Sequence, residues 1–425
     1  MQIKKLKLEN FRGIEKQEIE LLPNMNVFVG INGAGKSTIL DAIAISLSWL
    51  VERIQKAETQ GFTISDNSIK NETNYASITL DVLENNQTYN WKKIEFRRGY
   101  PSKEHSNFVE LNELAYLYQE QYQKLKELPM IAYYPINRIT KGNVEIKGKG
   151  SVSQLDVYDN ALGSKANFQA FFEWFRLKDD IINEQWKEVT RASGYYDLVD
   201  SSVNTTSELQ LVIKVIEKFI PEYSNLRVTR IPTPRMLVDK NSETLNLNQL
   251  SDGEKNMIAM VGDIARRLSM ANPNLDNPLE GDGIVMIDEV DLHLHPDWQR
   301  LIIPKLVNIF PKCQFIVTIH SPQILSHIKA EHIFLLKQEQ DNITITKPTE
   351  SYGKSSDRQL EDILGVEARP LIIKEKLYQL FVHIQNNNLD KAKELMNELE
   401  NEIEGREPEL VKANVLIKRK EILGK

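Results

Sequence analysis

The stretch GINGAGKST, from Gly30 to Thr38, constrains the fold of this chain more than any other part of its sequence. It fits the pattern G-x-x-x-x-G-K-[S/T], in which glycines let a loop bend closely around phosphate groups. The apolar run MNVFVG precedes it, and residues 37–57 follow with apolar side chains at helical spacing. Because a strand, a glycine loop and a helix come in this order, the stretch predicts a phosphate-binding P-loop in preference to a glycine-rich turn that binds nothing.

In such a loop the backbone amides surround the α- and β-phosphates of a nucleotide, while the lysine and the hydroxyl have separate tasks. Lys36 is predicted to reach the β- and γ-phosphates, and Ser37 is predicted to hold Mg²⁺. ATP and Mg²⁺ are therefore the expected cofactors. The residues predicted to line the nucleotide are Asn32, Gly33, Ala34, Gly35, Lys36, Ser37 and Thr38.

A second pattern, GIVMIDEVDLHLHP, places two acids directly after an apolar strand. We expect Asp288 to be a second protein ligand of Mg²⁺, and Glu289 to orient the water that attacks the γ-phosphate. An acidic pair that merely ends a strand is the alternative. His293 and His295 follow closely, but Pro296 favours the start of a helix with His295 near its cap over a metal site.

Two further patterns have two interpretations each. His320 follows the apolar run CQFIVTI, where it either hydrogen-bonds a phosphate oxygen or simply ends a strand. In LNQLSDGEKNM, Ser251 and Glu254 have the spacing of a capping box, which closes the start of a helix. Ser251 and Gly253 at a helix N-terminus also form an anion site, because free amides and the positive end of the helix dipole point outward together.

Composition indicates a globular protein of ordinary character, with 41% hydrophobic and 27% charged residues. The formal net charge of -7 gives no general attraction to DNA or to anionic membranes. The one cysteine, Cys313, cannot form an internal disulfide, and MQIKKLKLENF lacks the apolar core of a signal peptide. The most apolar stretch, STILDAIAISLSWLV, contains Asp41 and is too short to span a bilayer. We therefore expect a cytoplasmic location and no contact with membranes.

Strand and helix patterns divide the chain into four predicted segments. Residues 1–98 form the first part of an ATPase lobe with the P-loop, and residues 99–225 form a mainly helical insertion rich in aromatics. Residues 226–355 form the second part of the lobe, and residues 356–425 form a helical tail. The alternation of strands and helices predicts an α/β fold with a parallel-rich sheet covered on both faces.

In their order along the chain, the P-loop, LSDGEK, IVMIDE and IHSP resemble the nucleotide-binding domain of ABC-type ATPases of the SMC and RecF group. The resemblance spans residues 1–98 and 226–350. It implies that Ser251 and Gly253 form the signature motif, which contacts the γ-phosphate of ATP bound by the P-loop of a second protomer. It also implies that His320 is the switch histidine, so Lys36, Glu289 and His320 are the predicted catalytic residues.

Other parts of the core fit this family less completely. LENFRGI matches the family's first strand, which implies that Arg12 approaches the phosphates, and DLHLHP matches its D-loop. Neither AYYPINR, residues 132–138, nor the preceding strands offer an unambiguous glutamine for a Gln-loop, so that role stays unassigned. The insertion lacks the sustained heptads of an SMC coiled coil.

AYYPINR, FFEWFR and SYGKSSDRQLEDILGV are similar to segments of the PtuA ATPase subunits of Septu and retron anti-phage systems. This resemblance implies a homo-oligomer built from head-to-tail cassette dimers and paired with an HNH nuclease subunit, PtuB. It further implies that the nucleotide state of the ATPase restrains or licenses that nuclease, and that DNA is met through the complex.

Three alternatives remain open at this point. The chain is also compatible with the ATPase of another defence system that has a Toprim effector, such as PARIS, or with a RecF-like DNA repair ATPase. A transporter motor is disfavoured by the helical insertion. The basic clusters that a DNA-binding protein would use are Lys4, Lys5 and Lys7, Arg97 and Arg98, and Lys141 to Lys149, each of which also suits a solvated face. Asp357, Glu361 and Asp362 fit a solvated helix start better than a nuclease centre.

Overall fold

The computed structural model describes residues 1–101, 104–136, 153–163, 169–193, 208–339, 342–363, 365–367 and 369–422. The chain divides into two compact units, Met1–Lys354 and Ser355–Lys425. The strands of the first unit are β1 (Gln2–Phe11), β2 (Ile14–Glu20), β3 (Met25–Val29), β4 (Tyr75–Glu84), β5 (Gln87–Phe96), β6 (Met130–Tyr134), β7 (Tyr223–Thr229), β8 (Arg235–Lys240), β9 (Glu243–Asn246), β10 (Gly283–Ile287), β11 (Cys313–Ile319), β12 (Ile333–Glu339) and β13 (Asn342–Thr346). Its helices are α1 (Lys36–Gln55), α2 (Val109–Leu125), α3 (Gln169–Ser193), α4 (Glu208–Phe219), α5 (Asp252–Ala271), α6 (Pro296–Ile309) and α7 (Pro322–Leu325).

The central sheet of the first unit has the strand order β13-β12-β3-β11-β10-β6. Every residue of β3, β10 and β11 is buried, as expected for strands that are covered on both faces. Strands β12, β3, β11, β10 and β6 run parallel, and β13 is antiparallel to β12. The carboxyl ends of the parallel strands therefore meet at one edge of the sheet. The predicted α/β fold with a parallel-rich sheet is confirmed.

Strand β6, with the sequence MIAYY, lies inside the segment 99–225 that the sequence predicts as a mainly helical insertion. All five of its residues are buried, and it pairs in parallel with β10 along its whole length. This part of the segment therefore belongs to the central sheet and not to an insertion. A five-residue apolar run between long helical patterns carries too little periodicity to be recognised as a core strand.

Two antiparallel sheets accompany the central one, with the strand orders β2-β1-β4-β5 and β7-β8-β9. Leu6 and Leu8 on β1 are buried, whereas Lys7 between them is exposed, which is the alternation of a half-covered sheet. The three-stranded sheet ends at Asn246, five residues before Ser251, the residue that caps α5. This sheet is therefore positioned to support the start of α5.

Helix α1 begins within the P-loop motif and α5 begins within LSDGEK, and most residues of both helices are buried. Cys313, the single cysteine of the sequence, begins β11 in the middle of the central sheet. Its thiol is buried, and this burial raises its pKa well above the usual range. A neutral, enclosed thiol at this position acts as a small apolar core residue.

The second unit consists of helices α8 (Ser356–Asp362), α9 (Leu371–Gln385), α10 (Leu389–Glu402) and α11 (Pro408–Ile422) among its described residues. The last three helices enclose a small apolar core. Its buried members are Leu377, Leu380, Ile384, Ala392, Leu399, Leu410, Ala413 and Ile417. Of the helices that the structure describes in either unit, none has the length and apolar character required to cross a membrane.

Candidate nucleotide-binding site

The P-loop connects β3 to α1 at the carboxyl edge of the central sheet. Gly33 and Gly35 have φ angles of 83° and 91°, a left-handed conformation that glycine adopts without strain. A Cβ atom at Gly30 would lie 2.7 Å from the carbonyl oxygen of Leu336, so a side chain there would collide with backbone. Of the two glycines that the pattern requires, Gly35 is thus needed for its conformation and Gly30 for space, and Gly33 adds a second left-handed position in the loop.

Lys36 is buried inside this loop as the first residue of α1. Its Nζ donates to the carbonyl oxygens of Gly30 at 2.7 Å and Ile31 at 3.1 Å, and it lies 3.4 Å from Nδ1 of His320. Burial lowers the pKa of the ammonium, and the three carboxylates that follow β10 act in the opposite direction. A buried ammonium held by carbonyl oxygens of the P-loop fits the role of a phosphate-binding lysine.

The remaining predicted nucleotide ligands surround this lysine. Asn32 and Gly33 are exposed at the tip of the loop, and Ser37 is partly exposed. Ala34 and Thr38 are buried against the sheet, and the Ala34 amide closes the turn by donating to the Ile31 carbonyl at 3.2 Å. The exposed tip and the partly exposed hydroxyl are consistent with a cradle for phosphate and a ligand for Mg²⁺.

Asp288 follows β10 and is almost completely buried. Its Oδ1 accepts a hydrogen bond of 2.5 Å from Thr318 Oγ1, and that same hydroxyl oxygen accepts one of 2.6 Å from the Glu289 amide. Thr318 therefore connects the two acids, a role that the sequence interpretation missed. The signal lay in the strand register, because β11 runs parallel beside β10 and Val317 pairs with Ile287, which brings the next residue beside Asp288.

Glu289 and His320 are in direct contact, with 3.0 Å between Glu289 Oε1 and His320 Nε2. His320 Nδ1 faces the Lys36 ammonium, so this nitrogen is placed to accept from Lys36 while Nε2 is placed to donate to Glu289. Glu289 has a φ of 46°, an uncommon conformation for a residue with a side chain. The structure thus brings the three predicted catalytic side chains together, and the Glu289 carboxylate has the chemistry needed to take a proton from water.

Asp291 fixes the segment that carries His320. Its Oδ2 accepts hydrogen bonds from the backbone amides of His320 at 3.0 Å and Ser321 at 2.6 Å. The Ser321 hydroxyl in turn donates to Gln299 Oε1 at 2.7 Å, and Gln299 Nε2 donates to the Leu294 carbonyl at 3.1 Å. Asp291 was not singled out from the sequence, although it lies three residues after Asp288.

Ser251 is the N-cap of α5, and the predicted capping box with Glu254 is present. Ser251 Oγ accepts from the Glu254 amide at 3.3 Å, and Glu254 Oε2 accepts from the Ser251 amide at 2.8 Å. Gly253 is buried, and a Cβ atom there would lie only 2.2 Å from the carbonyl oxygen of His293. The glycine therefore has a packing role in its own chain that the sequence interpretation did not include.

The Glu254 carboxylate also connects the start of α5 to the three-stranded sheet. Its Oε1 accepts from Lys240 Nζ at 2.6 Å and from the Tyr223 hydroxyl at 2.5 Å. Burial raises the pKa of this carboxyl, but the hydrogen bonds from Lys240, Tyr223 and Ser251 outweigh that effect and lower it to about 2. Glu254 thus remains ionised and holds the capping serine in place.

Ser251 and Gly253 are separate from the P-loop of their own chain. Across the residues that the structure covers, no hydrogen bond or ion pair connects either of them to residues 30–38. The Ser251 residue is exposed to solvent. The cluster at the sheet edge therefore lacks the hydroxyl and amides that the signature motif is predicted to supply.

Arg12, which the resemblance places near the phosphates, is bound to α1 in this structure. Its Nη1 donates to Asp41 Oδ2 at 2.7 Å, and Asp41 Oδ1 accepts from the Tyr133 hydroxyl at 2.9 Å. Asp41 lies one helical turn after Ser37, on the same face of α1. Arg12 is therefore a neighbour of the predicted Mg²⁺ ligand, and it lines a cavity of about 620 Å³ beside α1.

The other candidate sites receive no support from the described residues. His295 is the N-cap of α6, as predicted, with Pro296 as the first helical residue. Within the described ranges, no group of three or more histidine, cysteine or acidic side chains is arranged to hold a metal ion. In the tail, Asp357, Glu361 and Asp362 are exposed on α8.

The described basic clusters are largely engaged with their own chain. Lys5 pairs with Glu18 at 2.6 Å, and Lys7 lies 3.5 Å from the same carboxylate. Arg97 donates to three backbone carbonyl oxygens, and the guanidinium of Arg98 lies 3.8 Å from an Asp66 carboxylate oxygen. The cluster from Lys141 to Lys149 lies outside the described residues.

Known proteins provide an independent comparison. A family model described as an AAA domain matches residues 5–224, and a second AAA-domain model matches residues 156–326. The chain is 32% identical to the "Retron Ec83 probable ATPase" of Escherichia coli, over 87% of this chain and 77% of the relative. It is 31% identical to the "Retron Vc95 probable ATPase" of Vibrio cholerae serotype O1 biovar El Tor, over 84% and 77% of the two chains.

More distant relatives include the Septu protein PtuA of Bacillus thuringiensis, which is 22% identical over 94% of this chain and 93% of the relative. Among solved structures, the SMC head bound to the C-terminal winged-helix domain of ScpA has a TM-score of 0.47 and 16% sequence identity. That match covers 82% of this chain and 97% of the SMC head chain. The AAA-domain matches and the sequence relatives confirm that the chain contains the domain of an ATPase.

Proposed function

Since this chain belongs to the family of defence-system ATPases represented by the retron Ec83 protein and Septu PtuA, we propose that it hydrolyses ATP at a site shared between two copies and thereby controls a partner HNH nuclease. ATPase activity itself follows from the family, whose members carry that name. The shared site, its residues, the Mg²⁺ ion and the nuclease partner are the proposed parts. A dependence on ATP also supports the predicted cytoplasmic location.

One observation carries the proposal of a shared site. Lys36, Asp288, Glu289 and His320 converge at one edge of the central sheet, whereas the exposed Ser251 makes no hydrogen bond to these four described residues in its own chain. A phosphate held by the P-loop is therefore approached from one side only. A second copy, placed head to tail, would present its capping hydroxyl and the free amides of α5 to the other side.

Each residue of the cluster has a distinct proposed task. Lys36 exchanges its contacts with the loop carbonyls for the β- and γ-phosphate oxygens. Ser37 and Asp288 are the residues that would hold Mg²⁺, and the ion would supply positive charge beside the phosphates. Glu289 orients the attacking water and takes its proton, while His320, whose backbone is held by Asp291, exchanges its Nε2 contact with Glu289 for a γ-phosphate oxygen.

The shared site is tested by complementation between two inactive variants. Lys36→Ala removes the phosphate-binding ammonium, and Ser251→Arg fills the capping position with a bulky cation. The two proteins are co-expressed with different tags and purified through both tags, so that every sample contains mixed oligomers. A mixed dimer has one site with an intact P-loop and an intact signature, and we expect up to half of the wild-type turnover.

Each variant alone is expected to be inactive, and each serves as the control for the mixed sample. A mixed oligomer that stays inactive, although both variants assemble and fold, would contradict the shared site. Activity of Ser251→Arg alone would also contradict it, because the signature would then be dispensable.

The proposed nuclease control rests on the relatives named for Septu and retrons, and on the implied pairing with an HNH subunit. The test is co-purification of the product of an adjacent HNH gene, followed by cleavage of plasmid DNA with ATP, without nucleotide, and with the hydrolysis-deficient Glu289→Gln protein. Cleavage that changes with nucleotide state supports control of the nuclease. If an adjacent Toprim protein co-purifies instead, the effector is of the alternative class.

A RecF-like DNA clamp is the less favoured function. Lys5, Lys7 and Arg97 are engaged by carboxylates and carbonyls of the same chain, which leaves less positive charge for phosphate contacts. DNA is accordingly proposed to be met through the assembled complex. Salt-dependent binding of duplex DNA by the purified chain alone would favour the clamp instead.

A further inference from the structure

Strand β6 ends in two consecutive tyrosines whose hydroxyls are bound on opposite faces of the central sheet. Tyr133 and Tyr134 are 5% and 2% exposed, so both hydroxyls need partners inside the protein. Successive side chains of a strand point to opposite faces. Tyr133 donates to Asp41 on α1 at 2.9 Å, and Tyr134 donates to Asp263 on α5 at 2.9 Å. One strand therefore contacts both the P-loop helix and the signature helix.

The Tyr133 side leads to the P-loop. Asp41 accepts from Tyr133 with one carboxylate oxygen and from Arg12 with the other, at 2.7 Å. Asp41 lies four residues after Ser37 on the same helical face, so a movement of its carboxylate is transmitted within one turn to the predicted Mg²⁺ ligand. Tyr133 is thus in a position to fix the orientation of α1 and of Arg12 relative to the sheet.

The Tyr134 side leads to the signature motif. Asp263 is buried on α5 together with Arg266 and Arg267, whose guanidinium nitrogens lie 2.7 Å from its two oxygens. Arg267 also donates to the backbone carbonyls of Val157 and Asp159. This buried network fixes α5, which begins with the capping Ser251, and Tyr134 is the member that ties it to the central sheet.

The strand between these two contacts is itself part of the sheet edge that carries the acids. The amide of Asp288 donates to the Tyr134 carbonyl at 2.9 Å, and β6 pairs with β10 along its length. A displacement at either tyrosine therefore acts on the same backbone. Strand β6 is therefore an element whose position depends on contacts with both the P-loop helix α1 and the signature helix α5.

We infer that Tyr133 and Tyr134 are positioning residues for two different ATP sites, Tyr133 for the P-loop half of the site in its own chain and Tyr134 for the signature half of the site in the adjoining chain. The inference rests on the proposed shared site. In a head-to-tail dimer, β6 then connects one ATP site to the other through 2.9 Å hydrogen bonds on its two faces.

The test uses the tandem-tagged pair of Lys36→Ala and Ser251→Arg chains, in which the intact site takes its P-loop from the Ser251→Arg chain and its signature from the Lys36→Ala chain. Tyr134→Phe is introduced into one chain at a time, and turnover is measured. Loss of one buried hydrogen bond to a charged group corresponds to about a 10- to 150-fold effect when the whole of it is expressed in turnover. We expect this fall in ATP turnover when Tyr134→Phe is in the Lys36→Ala chain. When Tyr134→Phe is in the Ser251→Arg chain, we expect at most about a third of that effect.

Tyr133→Phe is expected to show the opposite asymmetry, with its larger effect in the Ser251→Arg chain and mainly on KM for ATP. Tyr158→Phe is the control for loss of one buried tyrosine hydrogen bond, because its hydroxyl donates to the Pro129 carbonyl at 2.8 Å and to neither Asp41 nor Asp263. A general folding defect would lower activity equally from either chain, as we expect for Tyr158→Phe.

The outcomes separate the inference from the proposed function. Opposite asymmetries for the two tyrosines support the inference. Equal losses from either chain, or no loss above the Tyr158→Phe control, overturn it while leaving the shared site intact. An inactive parent pair overturns the shared site itself, and the inference falls with it.

Discussion

Glu254→Gln is the substitution that tests the anchoring of the signature helix most directly. Glutamine keeps the size and shape of the side chain but removes the charge that four donor contacts share, from Lys240, Tyr223 and the amide and hydroxyl of Ser251. Lowering of the carboxyl pKa from 4.5 to about 2 corresponds to about 3 kcal/mol in favour of the ionised form. Because the Glu254 side chain is 20% exposed, solvent screening reduces this figure. We expect Glu254→Gln to lower the free energy of unfolding by about 1.5–3 kcal/mol at pH 7.

The effect of Glu254→Gln has a defined dependence on pH. The folded carboxyl has a pKa below its unfolded value, so its contribution is complete above about pH 4.5 and is lost as pH falls toward 2. The difference between wild type and variant should therefore shrink between pH 7 and pH 3. This difference in unfolding free energy is measured by urea titration with tryptophan fluorescence as the signal. All five tryptophans precede residue 355, so the signal reports on the first unit alone.

Asp252→Asn is the matched control for this experiment. Asp252 lies in the same first turn of α5 and carries the same charge relative to the helix dipole, but it is exposed and pairs with Lys255 alone at 2.9 Å. Asp252→Asn should lower the free energy of unfolding by no more than about 0.5 kcal/mol, as for the loss of other surface ion pairs. If Asp252→Asn costs as much as Glu254→Gln, a general charge effect at the helix start is sufficient and the anchoring argument is wrong.

Three further substitutions have direct outcomes. Glu289→Gln should lower the single-turnover rate of ATP hydrolysis about 10²- to 10⁴-fold and leave nucleotide binding intact, and wild-type turnover would exclude Glu289 as the base. Thr318→Val removes the hydroxyl that links Asp288 to the Glu289 amide, and ATP turnover should fall about ten-fold. The control is Thr344→Val, which loses an exposed hydrogen bond and should keep near wild-type turnover in the same assay. Gly253→Ala should lower the unfolding free energy by about 1–3 kcal/mol, because its Cβ would lie 2.2 Å from a backbone oxygen, and an unchanged urea midpoint would show that the loop yields without cost.

The convergence of the catalytic cluster was predictable from sequence because it depends on local patterns and on one rule of topology. Each of Lys36, Asp288 and His320 follows an apolar strand, and the carboxyl ends of parallel strands meet at one edge. The capping box at Ser251 was predictable for a similar reason, since its spacing along the chain determines its geometry.

The supporting residues depend instead on contacts between distant segments. Thr318 follows from strand register, and Lys240 and Tyr223 follow from the packing of a separate sheet against α5. Strand β6 escaped prediction because a short buried run has no periodicity of its own. The pairing of Arg12 with Asp41 joins residues from different elements, which no local pattern reveals.

The enclosed thiol of Cys313 has a practical consequence for studying assembly. Maleimides and other alkylating probes react with exposed thiolates, and this thiol is both buried and neutral at working pH. A cysteine introduced on the surface will therefore be the sole reactive one, without any background substitution. Separate preparations labelled with donor and acceptor dyes can then report subunit exchange by energy transfer, in real time and at concentrations low enough to resolve dissociation.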